Sequence, residues 1–154
     1  MACRTSRSRP ANKRRPGADI VCPGDVSSPN SCYLYRQDRQ PWEVARDECV
    51  KLGGYLVAIE TPSELSSIRQ DVLFSHYGMR TLPSMWVGLN DRSREGVYTW
   101  EGVGGTLPLS SSMWKPGQPY WVSAGKEDCI GFDGYRMQDG PCRAALRYIC
   151  EFVL

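Results

Sequence analysis

Apolar residues recur at helical spacing in two stretches of the chain and at strand spacing in several others. In QPWEVARDECVKLGG, Trp42, Ala45, Cys49 and Leu52 stand three and four residues apart, so they share one face of a helix. Pro41 falls where a first turn tolerates it, and Gly53-Gly54 stops the segment. Thr61-Pro62-Ser63-Glu64 has the form of a capping box with proline at the first helical position. Leu65, Ile68 and Val72 then line one face, which predicts a second helix running to about residue 74 or 75. Residues 55–59 (YLVAI) are apolar and favour a strand. Short strands are also predicted at 33–35, 86–89, 98–100, 129–132, 135–138 and 147–152.

Residues 101–128 follow neither period. They hold five glycines, three prolines and a triple serine, which makes a long loop. A loop of that length inside a compact domain is either functional or disordered. This one carries Trp114, Tyr120 and Trp121, residues that disordered segments seldom contain, so something must organise it. It runs directly into Glu127-Asp128.

Composition narrows the class. The 154 residues suit one domain of ordinary size, and there is no run of 18 apolar residues to insert into a membrane. The net charge of +2 hides an uneven distribution. Residues 1–20 hold six Lys/Arg against one Asp, a net of +5, and residues 21–154 hold 13 against 16, a net of −3. The basic character therefore belongs to a tail, read as disordered over 1–20, ahead of a folded body at 21–154. A mildly acidic body argues against a nucleic-acid surface. The tail has no apolar stretch of the kind a secretory signal carries, so either the export segment is missing from this chain or the tail is a cytoplasmic stub.

Six of the seven cysteines, Cys22, Cys32, Cys49, Cys129, Cys142 and Cys150, lie in the body, with Cys3 in the tail. None forms a CxxC pair, so structural zinc and thioredoxin-like chemistry have little support. Three disulfides and an oxidising compartment account for them, with buried free thiols as the alternative; six cysteines allow about 15 pairings. The stretch from Cys22 to Cys32 is rich in Gly, Pro, Asn, Asp and Ser, which suits a tight hairpin closed by its own disulfide.

The order of landmarks resembles the C-type lectin-like domain in its long form. It is carried by Cys22 and Cys32 ahead of a helix with Trp42 and Cys49, then LVAI at 56–59, then Trp86-Val87-Gly88-Leu89. Trp100, Trp114, Gln118-Pro119, Glu127-Asp128-Cys129, Asp139 before Cys142, and Tyr148-Ile149-Cys150-Glu151 continue it in register. The resemblance implies an α+β fold with two helices flanking antiparallel β-sheets and a long ligand-binding loop at one edge. It also implies disulfides Cys22–Cys32, Cys49–Cys150 and Cys129–Cys142, and a core role for WVGL. Closing a loop of about 100 residues through Cys49 and Cys150 contributes on the order of 4–5 kcal/mol in the entropic account.

Sugar-binding members of the family hold calcium between the residues flanking a cis proline, a downstream Glu and an Asn-Asp pair. Calcium seeks six to eight hard oxygens, which carboxylates and amide carbonyls supply. By resemblance, Gln118, Glu127, Gln138 and Asp139 form this primary site around Pro119. Two positions depart from the pattern: Tyr120 stands where Asn or Asp is usual, and Gln138 replaces Asn, with Met137 in place of the preceding tryptophan. An accessory calcium site matches Asp91, Glu95 and Asp128, with Trp121 replacing a fourth acid. Gln-Pro leans toward galactose-type rather than mannose-type glycans, and Tyr120 or Trp121 would offer the sugar an aromatic plane.

The expected function is therefore an extracellular, calcium-dependent carbohydrate-binding module. The alternative keeps the fold but loses the metal, binding a protein partner through Trp114, Tyr120 and Trp121, since aromatic anchors dominate such interfaces. An enzyme is the weakest expectation. His76 has no sequence tie to a nucleophile, and Glu127 with Asp139 fits a calcium shell better than a glycosidase pair. No segment points to an oligomeric state.

Overall fold

A computed structural model describes residues 19–24, 29–120 and 128–154, with Asp128 described by its backbone only. Strand β1 (Ser31–Gln40) leads into helix α1 (Trp42–Lys51) and the short β2 (Tyr55–Leu56). Helix α2 (Pro62–Ser67) continues as a π-helical segment, Ile68–His76. Then come β3 (Met85–Asn90), β4 (Thr99–Trp100), β5 (Asp128–Phe132), β6 (Met137–Pro141) and β7 (Leu146–Val153).

The strands join in the order β1-β7-β3-β5-β6, with β2 added to β7 and β4 to β3. Here the structure corrects the expectation of purely antiparallel sheets. β7 lies parallel to β3, pairing Met85 with Arg147 and Trp86 with Tyr148. The chain between these strands is long enough for the return that a parallel pair requires. Side chains then alternate across β3: Trp86 joins Trp42, Ala45 and Tyr148 in one core, while Met85, Val87 and Leu89 join Ile68, Val72 and Phe132 in the other. The WVGL residues are core, as the resemblance implied.

Each helix buries the face its spacing marks out. In α1, Trp42, Ala45 and Cys49 are buried, and Pro41 stands one position earlier than expected, at the cap. The Trp42 indole N–H donates to the Val87 carbonyl at 2.8 Å. Arg46 and Arg92 lie over its ring. At α2 the Thr61 hydroxyl oxygen accepts the Glu64 N–H at 3.0 Å. The Glu64 carboxylate reaches back past the cap to accept the N–H of Glu60.

All three disulfides implied by the resemblance are present: Cys22–Cys32, Cys49–Cys150 and Cys129–Cys142. Three boundaries moved, the first being the strand expected at 33–35, which runs over Ser31–Gln40. Residues 135 and 136 are not strand, because the Asp133 carboxylate accepts the N–H groups of Tyr135 and Arg136 and holds a turn that delays β6 to Met137. Residues 57–59 leave the ladder after β2. Val57 instead donates to Ile149 and accepts from Gly88, bridging β7 to β3. Most of the expected tail, residues 1–18, lies outside the described residues. Asp19 and Ile20 pack on the body, with the Asp19 carbonyl accepting the Tyr77 hydroxyl and Ile20 against the α1 core.

Candidate functional site

The long loop is organised by backbone pairing and one buried tryptophan. Leu107 donates to the Tyr98 carbonyl, returning the chain to β4. Trp114 is buried, its indole N–H donating to the Pro108 carbonyl at 2.9 Å and its ring meeting Tyr98 edge-on at 5.1 Å. Next, Met137 donates to Met113 and Lys115 to Met137, each at 2.8 Å, so residues 113–115 dock on β6. This removes Trp114 from the set of exposed aromatics proposed for a protein interface: it is core. Met137 likewise is fully buried.

Docking on β6 carries the Gln-Pro segment to its target. The Gln118 N–H donates back to the Lys115 carbonyl at 2.8 Å, with Gly117 taking the positive φ of 84° that the turn needs. The Gln118–Pro119 peptide is cis, as the resemblance implied. The Gln118 side-chain oxygen then accepts the backbone N–H of Asp139 at 3.1 Å. Residues 21 positions apart are thereby locked together. Tyr120 follows, 67% exposed.

Gln138 is drawn elsewhere. Its side-chain oxygen accepts the Lys115 ammonium at 3.2 Å, and that ammonium is 3.9 Å from the Asp133 carboxylate. Lys115 and Asp133 were not anticipated. A lysine three residues before Gln118 was the available signal, but only the docking on β6 shows which oxygen it reaches.

Of the accessory set, Asp91 and Glu95 come together. Asp91 is buried and accepts the Gly96 N–H at 3.0 Å. Desolvation, then the Asp91 charge and a hydrogen bond with it, push the Glu95 carboxyl upward from its usual range. The pairing of Asn90 with Cys129 brings the Asp128 backbone to the same end of β3. Trp121, Glu127 and the Asp128 side chain lie outside the described residues. Among the described residues, no three His, Cys, Asp or Glu side chains gather as a metal cluster.

The donors do fit calcium in kind. Gln118 brings an amide oxygen onto the backbone of the carboxylate-bearing Asp139, and a carbonyl oxygen already accepting one hydrogen bond keeps a second lone pair. Gln138, turned to a cation, fits less well.

The family model described as Lectin C-type domain matches residues 38–152. The chain belongs to the C-type lectin domain family. It is 31% identical over 151 residues to mouse C-type lectin domain family 3 member A, covering 94% of this chain and 71% of that protein. It is 33% identical over 123 residues to mouse CD209 antigen-like protein D, covering 80% of this chain and 48% of that one. The cow C-type carbohydrate-recognition domain of CD23, determined in the presence of a GlcNAc2Man3 oligosaccharide, superposes with a TM-score of 0.65 at 27% identity, over 81% of this chain and 89% of that one. A calcium-independent type II antifreeze protein shares the fold at a TM-score of 0.64 and 22% identity, over 87% and 95% of the two chains. As a C-type lectin domain, this chain is a carbohydrate-binding module and not a catalyst. Among its described residues no helix is long and apolar enough to cross a membrane.

Proposed function

We propose that this C-type lectin domain recognises galactose-type glycans outside the cell through calcium held by Gln118, Glu127 and Asp139. The observation carrying this reading is the hydrogen bond from the Asp139 N–H to the Gln118 side-chain oxygen. It brings the Gln118 side chain against the backbone of Asp139, which supports a reading in which the two share an ion. Bound there, calcium would supply the positive centre to which a sugar's vicinal hydroxyls are drawn.

The protein's own residues do the rest. Gln118 offers a carbonyl oxygen and an NH2, so its NH2 donates to a sugar hydroxyl where a glutamate would accept. That difference underlies the lean to galactose, which rests on the family resemblance. Tyr120, exposed at the loop's edge, supplies a ring for the sugar's apolar face. Asp91, Glu95 and Asp128 make the accessory calcium site. Three disulfides support an oxidising, extracellular setting.

The test is binding to immobilised galactose-terminated and mannose-terminated glycans, with calcium and with chelator. Calcium-dependent retention on galactose, lost in Asp139→Asn and moved toward mannose by Gln118→Glu, supports the reading. Retention that ignores chelator overturns its metal-dependent part. The second reading, a protein partner on the loop, draws on the Lys115 ammonium at Gln138 and on exposed Tyr120. It predicts partner binding that Tyr120→Ala abolishes and chelator leaves intact.

A further inference from the structure

A cleft of about 410 Å³ opens where β1, β7 and the segment leading into β3 meet, and none of its residues belongs to the long loop or to β6. Its volume is that of a small-molecule site. Met79, Leu82 and Pro83 make an apolar wall, and Tyr35, Thr81 and Arg147 bring polar groups to it.

The register explains the convergence. Tyr35 is paired with Ile149 across β1 and β7, and Arg147 lies two residues before Ile149, hence on the same face of the sheet. Tyr35 is only 7% exposed, and it lines the cleft. Arg147 is incompletely satisfied: its Nε is shut away from solvent without an acceptor among the described residues. Leaving a buried donor unmade is costly, so Arg147 is poised for an acceptor, with Tyr35 lining the cleft beside it. No acidic residue lines the cleft. Burial pushes the Tyr35 hydroxyl up from its ordinary value, while Arg147 and Arg39 pull it back, marking a positive potential at that point.

We propose that this cleft is a second ligand site, one that takes a small organic anion: a carboxylate or sulfate head held by Arg147 and the Tyr35 hydroxyl, with an apolar stem along Met79, Leu82 and Pro83. A guanidinium presents planar donors matched to such a head. The site is independent of calcium and of the glycan reading.

The experiment is an amide NMR titration of the oxidised, isotope-labelled chain in calcium-free buffer. Three probes are used: hexanoate, hexanol as the neutral stem, and inorganic sulfate as the head alone. Hexanoate should shift the amides of Tyr35, Thr81 and Arg147 saturably at millimolar concentrations and leave those of Gln118 and Asp139 unmoved. Hexanol should bind about tenfold more weakly, because a hydrogen bond to a charged group is lost. Arg147→Gln should weaken hexanoate by a similar factor and Tyr35→Phe by less, each with an otherwise folded spectrum. Equal binding of hexanol and hexanoate overturns the proposal, because the cleft would then be a bare apolar crevice. Shifts that survive Arg147→Gln, or no shifts at Tyr35 and Arg147, also overturn it. If Arg147→Gln does not fold, the comparison of the three probes on the unaltered chain decides.

Discussion

The backbone amide of Asp139 donates to the side-chain oxygen of Gln118 at 3.1 Å, across 21 residues of sequence. This bond joins the tip of the long loop to β6, and the loop and strand cannot shift independently while it holds. Beside it, Lys115 places an ammonium on Gln138. A cation already at that oxygen competes with any second cation brought to the same cluster.

Lys115→Met is therefore expected to tighten calcium binding, by several-fold to about tenfold, through removal of a like charge. The lysine is half exposed and its contact with Asp133 is long, so fold stability should move by no more than about 0.5 kcal/mol. Thermal melting across a calcium titration reads both effects at once. An unchanged calcium response would show that the ammonium and the ion never compete.

The loop aromatics should separate cleanly. Trp114→Ala removes a buried indole with a hydrogen bond to Pro108, and is expected to cost about 3–5 kcal/mol in urea unfolding. Tyr120→Ala should cost under about 0.5 kcal/mol, since that ring is exposed, while weakening ligand binding. A Tyr120 variant with full binding would remove that ring from the site.

Glu151 gives a pH signature. Burial pushes its carboxyl from 4.5 up to about 7; the Ser31 hydroxyl and the Ala58 amide pull it back, and Glu64 and Glu60 add to the rise. The unfolded chain would release this proton near the ordinary value and the folded chain only near 7. The contribution is thus fully present below about pH 4.5 and declines as pH rises to 7, by at most about 3 kcal/mol, flattening above. Glu151→Gln should be the more stable protein at pH 8, with the difference gone at pH 4. Parallel stability curves for the two proteins would contradict this.

The disulfides rank by the loops they close. Cys49–Cys150 spans 101 residues and Cys129–Cys142 spans 13. Loss of the first should cost about 4–5 kcal/mol and of the second about 3 kcal/mol, if the entropic account holds. Paired Cys→Ser variants compared by chemical denaturation provide the measurement. A reversed order would point to packing around the bridges, not chain entropy, as the larger effect.

What was legible in the sequence was local or carried by the family pattern. Trp42, Ala45 and Cys49 declare a buried helix face by their spacing, and Thr61 to Glu64 declare a helix start. The Cys49–Cys150 and Cys129–Cys142 pairings and the cis peptide followed from resemblance alone, whereas the turn-rich stretch from Cys22 to Cys32 already suggested a hairpin closed by its own bridge. The failures share a cause: they depend on which distant residues become neighbours. Val57 leaves the strand because Ile149 and Gly88 claim its backbone. The turn at Asp133 delays β6 through a side chain, which apolar alternation does not register. Lys115 meets Gln138, and Tyr35 meets Arg147, only after β6 and β7 have taken their places.

The pairing of Ser31 with Val153 sets the two ends of the described sheet a strand's width apart. Tension between them would unzip β1 from β7 one rung at a time. The unzipping has a stop, because Cys150 is bonded to Cys49 in α1 and Cys22 to Cys32. With those bridges intact, the pulled path from Cys22 to Leu154 skips everything between Cys49 and Cys150 and extends to only about 80 Å. The long loop, Gln118 and Asp139 all lie within the bypassed part of the chain. A lectin domain built this way can be pulled between Cys22 and its last strand while the candidate ligand site carries none of that load.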